Sequence, residues 1–110
     1  MARTQKNNQI NRRLQLQAKL ESILGSRQVY YQPPENIKIK YPAIVYERND
    51  IDADHADNLQ YLRHHRYMLT VIDRNPDSEI VEMISQLPMC QFSRHFTADG
   101  LNHDIFTIYF

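Results

Sequence analysis

A strand, a tight turn and a helix are predicted in succession over residues 61–88, and this unit constrains the rest of the chain most. The strand spans residues 61–73 and ends in a mostly apolar run. Asn75 and Pro76 then suit the N-cap and the first position of a helix. Apolar residues recur at helical spacing as far as Leu87, which predicts a helix over residues 76–87. The segments on either side are expected to pair with this unit or pack on it.

The N-terminal part predicts a second helix and a first strand. A helix is expected over residues 8–24, with Gly25 as its stop, after a loose polar segment at residues 1–8. Residues 26–41 are predicted to be a linker, in which Ile37 and Ile39 alternate with lysines and favour a short edge strand or an extended arm. A strand is predicted over residues 43–48. The apolar side of the helix is expected to consist of Ile10, Leu14, Leu16, Ala18, Leu20, Ile23 and Leu24.

The C-terminal part predicts a hairpin with a definite register. A three-residue loop at residues 98–100, with Gly100 in the left-handed conformation, places Phe92 opposite Phe106 and Arg94 opposite Asp104. The expected core face carries Cys90, Phe92, Phe96, Phe106, Ile108 and Phe110. The other face carries Gln91, Ser93, His95, Thr97, His103, Ile105, Thr107 and Tyr109, a mixture that fits water or a partner subunit. The last strand is expected to be internal to the sheet or covered by a neighbour.

These elements predict one α+β domain over residues 1–110. Its core is a single antiparallel sheet of about four strands, with two helices on one face. Lysine plus arginine equals aspartate plus glutamate, which argues against a general nucleic-acid binder. The single cysteine, Cys90, excludes an internal disulfide and favours a reducing compartment. No apolar run is long enough to suggest a membrane span, and the basic N-terminus lacks the apolar region of a secretory signal.

The polar loop at residues 49–60 is expected to be mobile and is the most acidic stretch of the chain. It contains Asp50, Asp52, Asp54 and Asp57. Alternate carboxylates are typical of a calcium loop. However, His55 stands where that loop needs glycine, and Tyr61 stands where it needs a bidentate glutamate. We therefore predict a solvated loop without a metal.

Catalytic and metal sites find little support in the sequence. His64 and His65 are adjacent on a strand and point to opposite faces. His95 and His103 are expected side by side on the exposed face, but no third metal ligand is evident. Cys90 is expected on the core face, away from both of those histidines, which disfavours a nucleophile–base pair. The chain lacks phosphate-loop, dinucleotide-binding, serine-hydrolase and zinc-protease motifs, so no enzymatic activity and no cofactor are predicted.

A basic segment follows the acidic loop directly. Arg63, His64 and Arg66 form its cationic side. Binding to nucleic acid is one interpretation. Pairing with the acidic loop, within one chain or between neighbouring subunits, is favoured because the net charge leaves no basic excess. These residues, with the four aspartates of the loop and with Tyr30, Tyr31 and Tyr109, are the predicted subunit or partner interface.

A string of features in a fixed order gives the chain a family resemblance. These are YPAIVYER, the Asp/Asn-rich loop ending in ADN, YMLTVIDRNPDS, the short helix ending in LP, and FTADGLNHDIFTIYF. In that order they resemble the small tail-completion proteins, or tail terminators, of long-tailed bacteriophages. The likeness covers about two thirds of the chain, from residue 41 onward. It implies a small α+β domain with an antiparallel sheet covered by helices on one face, and no catalytic residues.

The resemblance also implies a role in the virion neck. Such proteins assemble as a hexameric ring, and in some cases only after existing as monomers. The ring caps the head-proximal end of the tail tube, ends elongation and offers a surface for head–tail joining. The expected partners are further copies of the chain, the major tail tube protein and a connector or stopper protein. Neither a membrane nor a specific nucleic acid is expected. Assembly would take place in the bacterial cytoplasm. The alternatives are another neck component, such as a connector, stopper or head-completion adaptor, and a small regulatory domain that binds nucleic acid.

Overall fold

A computed structural model describes residues 5–49 and 65–110, with side chains in α1 described from Arg12 onward. This part of the chain forms two helices and one five-stranded mixed sheet. The elements in chain order are α1 (Gln5–Leu24), β1 (Val29–Tyr31), β2 (Ala43–Arg48), β3 (Arg66–Asp73), α2 (Glu79–Ser85), β4 (Cys90–Ala98) and β5 (Leu101–Tyr109). The predicted α+β class is confirmed.

The sheet differs from the predicted antiparallel one in the number and direction of its strands. Its order is β1-β2-β3-β5-β4, and β1 runs parallel to β2 with Val29 opposite Ile44. The other three strand pairs are antiparallel, as predicted for β2 with β3. Residues 29–31 were assigned to a linker because three residues are too short to show a strand period. Only the neighbouring β2 supplies the hydrogen-bond partners that make them a strand.

The core lies between the two helices and one face of the sheet. Alternate residues of the central strands point into it, since side chains of a strand alternate between faces. The fully buried residues include Ile44, Tyr46, Leu69, Val71, Phe106 and Ile108 from the sheet, with Leu16, Leu20 and Ile84 from the helices. Burial of one such aliphatic side chain contributes roughly 1.5–3 kcal/mol to folding. The strand β5 lies between β3 and β4, which confirms its predicted internal place.

The contact face of α1 is narrower than its apolar residues suggested. Leu16 and Leu20, four residues apart, are fully buried. Leu14 is 50% exposed and Ala18 is also exposed, so the prediction that both lie on the packed side is wrong. Positions 14 and 18 lie about half a turn from positions 16 and 20, which turns them away from the sheet. The helix ends at Gly25, which has a left-handed φ of 79°, as predicted.

Helix α2 begins later than predicted. Its N-cap is Ser78, whose hydroxyl accepts a hydrogen bond from the Ile80 amide at 3.2 Å. Asn75 instead accepts from the Asp77 amide at 2.9 Å, which forms a local turn before the helix. Asparagine and serine both suit an N-cap, so sequence alone did not separate the two positions.

The C-terminal hairpin has a different turn from the predicted one. Ala98 pairs with Leu101, so the loop has two residues rather than three. Asp99 and Gly100 both have positive φ, at 55° and 75°, as a type I′ turn requires. The register then shifts between Phe92 and Arg94, where β4 carries a bulge.

The predicted hairpin register is correct on the Phe92 side of the bulge and wrong from Arg94 to the turn. Phe92 pairs with Phe106, as predicted, but Arg94 pairs with Ile105 rather than Asp104. Phe96 pairs with His103 and lies on the face away from the helices, not in the core. Each of these corrections follows from one extra residue in β4 and one fewer in the loop.

Candidate interaction surface

The strand β4 is the most exposed element of the sheet. Among residues 5–49 and 65–110 it pairs on one side only, with β5, and every residue from Gln91 to Ala98 is exposed. Phe92 is 53% exposed and Phe96 is 38% exposed. Exposed phenylalanines on an unpaired edge strand are typical of a surface that another chain covers. We refer to residues 91–98 as the β4 edge.

The bulge divides the β4 edge into two parts with different chemistry. Before the bulge, Phe92 packs edge-on against Phe106, with ring centroids 5.5 Å apart. After the bulge, His95 lies opposite Asp104, and its Nδ1 is 2.8 Å from Oδ1 of that carboxylate. The pair lies near the surface, because the side chain of His95 is 43% exposed. The β4 edge therefore presents Phe92 before the bulge, and both the His95–Asp104 pair and the exposed ring of Phe96 after it.

The face of the sheet away from the helices, the open face, adds a second exposed region beside the edge. Phe96 stacks on His103 with ring centroids 4.4 Å apart and an angle of 9° between the planes. The Arg94 guanidinium lies 5.3 Å from the Phe96 ring centre. Further in, Ile72 and Ile105 are each only 8% exposed. The open face thus has an apolar centre and a basic, aromatic side next to the β4 edge.

At the opposite edge of the sheet, formed by β1, the side chain of Gln17 from α1 occupies a backbone hydrogen-bond acceptor. Gln17 donates from Nε2 to the Val29 carbonyl at 3.0 Å, and its Oε1 accepts from the Tyr46 hydroxyl at 2.6 Å. Val29 belongs to the edge strand β1, so this bond occupies a backbone acceptor that a further strand would need. Burial raises the pKa of Tyr46 above its ordinary value, and the nearby Arg13 partly offsets that rise. Among the described strands, β4 therefore offers the more accessible edge.

The predicted interface residues fall in several places. Asp50, Asp52, Asp54, Asp57, Arg63 and His64 lie outside the described residues, so the proposed acidic–basic pairing stays a prediction. Arg66 begins β3 and binds Asn49 through two bonds, from Nε to the backbone oxygen at 2.8 Å and from a terminal nitrogen to Oδ1 at 3.3 Å. It therefore fastens the end of β2 to β3 within the same chain.

The three predicted tyrosines have different surroundings. Tyr31 packs on Tyr46 with ring centroids 4.9 Å apart, and the Arg13 guanidinium lies 4.5 Å above its ring. Tyr30 donates a hydrogen bond to Oε1 of Gln28. Tyr109 lies at the end of β5, opposite Arg66. The structure thus brings Tyr109 and Arg66 together on the internal strands β5 and β3, and leaves Tyr30 and Tyr31 on the edge strand β1.

Chemical groups suited to catalysis do not converge in the part of the chain that the structure describes. Within residues 5–49 and 65–110, no three of the histidine, cysteine, aspartate and glutamate side chains are grouped to hold a metal ion. The prediction that His95 and His103 lie side by side is wrong, because the bulge and the short turn put them on opposite faces. Burial raises the pKa of the Cys90 thiol to about 11, which disfavours the nucleophilic thiolate. Neither described helix is long and apolar enough to cross a membrane.

The β4 edge was not among the predicted site residues. Its phenylalanines were assigned to the core, since apolar residues at alternate positions usually point inward. The shift of Phe96 to the open face depends on the bulge and the short turn, and no residue pattern announced the bulge. The Asp-Gly pair at positions 99 and 100 was the one available signal for a two-residue turn.

Comparisons with protein-family models, with curated proteins and with solved structures found no match to this chain.

Proposed function

We propose that the protein is a structural component of the neck of a long-tailed bacteriophage. In this proposal a hexameric ring of copies caps the head-proximal end of the tail tube, ends its elongation and provides the surface for head–tail joining. The partners would be other copies of the chain, the tail tube protein and a connector or stopper protein. Assembly would take place in the cytoplasm of the bacterial host.

The exposed β4 edge is the structural observation that carries this proposal. An edge strand with two exposed phenylalanines suits a protein whose final state includes neighbouring subunits. The two outer strands differ, because Gln17 occupies the Val29 carbonyl of β1 whereas β4 is exposed, and head-to-tail rings require two different surfaces. The ordered sequence features that resemble tail terminators agree with such a role. The α+β architecture with helices on one face is also the one that the resemblance implies.

Deletion of the gene from the phage or prophage genome tests this role. Loss of a terminator is expected to give tail tubes of uncontrolled length, because nothing then stops the addition of tube subunits. Loss of a connector, stopper or adaptor would instead give tubes of normal length that are not joined to heads. Electron microscopy of lysates distinguishes these outcomes. Normal, infectious particles from the deletion strain would refute any role in the neck.

A pair of variants tests the contribution of the β4 edge. Phe92→Thr removes an exposed aromatic side chain and introduces a β-branched residue that also suits a strand. Gln91→Thr, at the neighbouring exposed position, is the matched control. We expect Phe92→Thr to lower complementation of the deletion strain and to reduce ring formation measured by light scattering, while Gln91→Thr behaves like the wild type. Equal complementation by both variants would contradict a role for this edge.

A further inference from the structure

The register of the sheet shows which backbone groups of β4 point away from it. Phe110 and His65 exchange two backbone hydrogen bonds, so the even-numbered residues of β5 bond to β3 and the odd-numbered residues face β4. The bond from the Tyr109 amide to the Met89 carbonyl follows the same pattern. The β4 residues opposite odd-numbered β5 residues are Gln91, Arg94, Phe96 and Ala98. The β4 residues whose backbone groups point outward are therefore Cys90, Phe92, His95 and Thr97, on the two sides of the bulge.

The β4 edge lacks the side chains with which outer strands usually block pairing. Residues 90–98 contain no proline, lysine, aspartate or glutamate, and Arg94 is their one permanently charged residue. The strand is nine residues long, longer than the usual five or six or so. A long exposed strand of this composition can accept a further strand along its outer edge.

The bulge limits how a second copy of β4 can pair with the first. In an antiparallel pair related by a two-fold axis, each outward-facing residue must lie opposite an outward-facing residue. The outward positions 90, 92, 95 and 97 contain one step of three residues, so a single register satisfies all four. In that register Phe92 lies opposite His95 of the second copy, and Cys90 lies opposite Thr97 of the second copy. The axis then passes beside the pair formed by Ser93 and Arg94 of the second copy.

We propose that two copies of the chain pair through β4 in this register and join their sheets into one. The four outward-facing pairs would supply about eight backbone hydrogen bonds, close to the roughly ten of a typical protein interface. Phe92 and His95 both lie on the helix side of the sheet, because they pair with Phe106 and Asp104. The exposed ring of Phe92 would therefore be partly covered by His95 of the second copy.

Two observations favour a second copy over an unrelated strand. A regular strand would leave one residue of the step from 92 to 95 without a partner, whereas a second copy has the same extra residue and pairs with all of them. Charge is also compatible, because Arg94 lies opposite Ser93 of the second copy and not opposite another arginine. The formal net charge of the chain is zero, so two copies do not repel each other at long range.

This inference goes beyond the proposed neck role and does not depend on it. One β4 edge cannot pair with a second copy and make a ring contact at the same time. Within the neck role, the dimer would keep this edge covered until the ring assembles. The tests use purified protein, so a failed dimer test would leave the result of the gene deletion unaffected.

The first test is the mass of the purified protein in solution. About eight residues of each copy take part, against roughly 20–30 a side in a standard interface, so the dimer should be weak. We expect sedimentation equilibrium to show a reversible monomer–dimer equilibrium with a Kd of roughly 10–100 μM. Monomer alone up to about 1 mM, or rings without a dimer, would overturn the proposal.

Charge variants test the pairing across the axis. Ser93→Lys would face Arg94 of the second copy twice in each dimer and should weaken dimerisation at least about fivefold. Asn36→Lys makes the same change in net charge at an exposed position between β1 and β2 and should have no effect. Addition of Arg94→Glu to Ser93→Lys places opposite charges across the axis and should restore dimerisation. Equal effects of the two lysine variants, or no recovery in the double variant, would refute this register.

Disulfide cross-linking measures the register directly. Gln91 lies opposite Phe96 of the second copy at a pair without backbone bonds, where Cα atoms are about 4.5 Å apart and a disulfide can form. With Cys90→Ser present, Gln91→Cys/Phe96→Cys should form intermolecular disulfides at least about tenfold faster than Gln91→Cys/Ala98→Cys. The control displaces the second cysteine by two residues, or about 7 Å. Neither pair is close enough along one strand to bond within a chain. Equal rates, or faster cross-linking of the control, would show that β4 does not pair in this way.

Discussion

The hydrogen bonds of Gln17 predict that Tyr46→Phe destabilises the wild-type protein but stabilises the Gln17→Met variant. Gln17 connects α1 to two strands, since it accepts from the Tyr46 hydroxyl at 2.6 Å and donates to the Val29 carbonyl at 3.0 Å. Tyr46 is fully buried and Val29 is 5% exposed. Arg13 also interacts with the Tyr46 hydroxyl, but arginine only donates, so it cannot accept the hydroxyl proton.

The expected free-energy changes follow from which buried groups lose a partner. Tyr46→Phe removes the hydroxyl's bond to Gln17 and its interaction with Arg13, and leaves the half-buried Gln17 oxygen unpaired, which should cost about 1 kcal/mol. Gln17→Met leaves both the Tyr46 hydroxyl and the Val29 carbonyl without their partner and should cost about 2–4 kcal/mol. In the double variant the hydroxyl is absent, so only the carbonyl is unsatisfied, and the cost should fall to roughly 1–3 kcal/mol. Tyr46→Phe is therefore destabilising in the wild type and stabilising in Gln17→Met.

Urea unfolding followed by circular dichroism measures these differences, with the free energy of unfolding taken from the midpoint and slope of each transition. Gln91→Met is the matched control, because Gln91 is exposed on β4, and it should change stability by less than about 0.5 kcal/mol. If Tyr46→Phe has the same effect in both backgrounds, the hydroxyl and Gln17 are not coupled. The account of how α1 is fixed to the sheet would then be wrong.

Three further predictions concern single groups. Gly100→Ala should lower the free energy of unfolding by about 1 kcal/mol, as measured by thermal unfolding. The cause is the left-handed backbone alone, because an added Cβ at Gly100 would touch nothing within 4 Å. Asp99→Asn suits the same turn and should leave stability nearly unchanged. Cys90 should react with a disulfide reagent at pH 8 about a hundredfold more slowly in the native protein than in urea, because its pKa is raised from 9.0 to about 11; equal rates would contradict the burial of the thiol. Because the pKa of Tyr46 is raised in the folded protein, the neutral hydroxyl stabilises the fold fully below its ordinary pKa of about 10. This stabilisation is lost as the pH rises above that value. The free energy of unfolding of Tyr46→Phe should therefore fall less at alkaline pH than that of the wild type.

Part of the hairpin register predicted from the sequence is correct only because two errors cancel. The predicted three-residue loop displaced the pairing by one residue, and the unforeseen bulge displaces it back. Phe92 opposite Phe106 is therefore correct, whereas the predicted partner of Arg94 and the predicted face of Phe96 are wrong. A bulge depends on how β4 lies against β5 over its whole length, so no short motif announces it.

The proposed functional surfaces were the least predictable part. The predicted interface centred on the charged residues 50–66, most of which lie outside the described residues. The β4 edge became visible only from solvent exposure. Phe92 reads as a core residue in the sequence because hydrophobicity alone does not reveal which surfaces a fold leaves uncovered.

The sequence by itself determined the local elements: the end of α1 at Gly25, the strand at residues 43–48 and the two strands of the C-terminal hairpin. These follow from backbone preferences and side-chain patterns within a few residues. Only the tertiary structure decided the parallel strand β1, the closure of its edge by Gln17 and the exposure of β4. These features depend on contacts between residues far apart in the chain, which form only once the sheet order and the position of the helices are set.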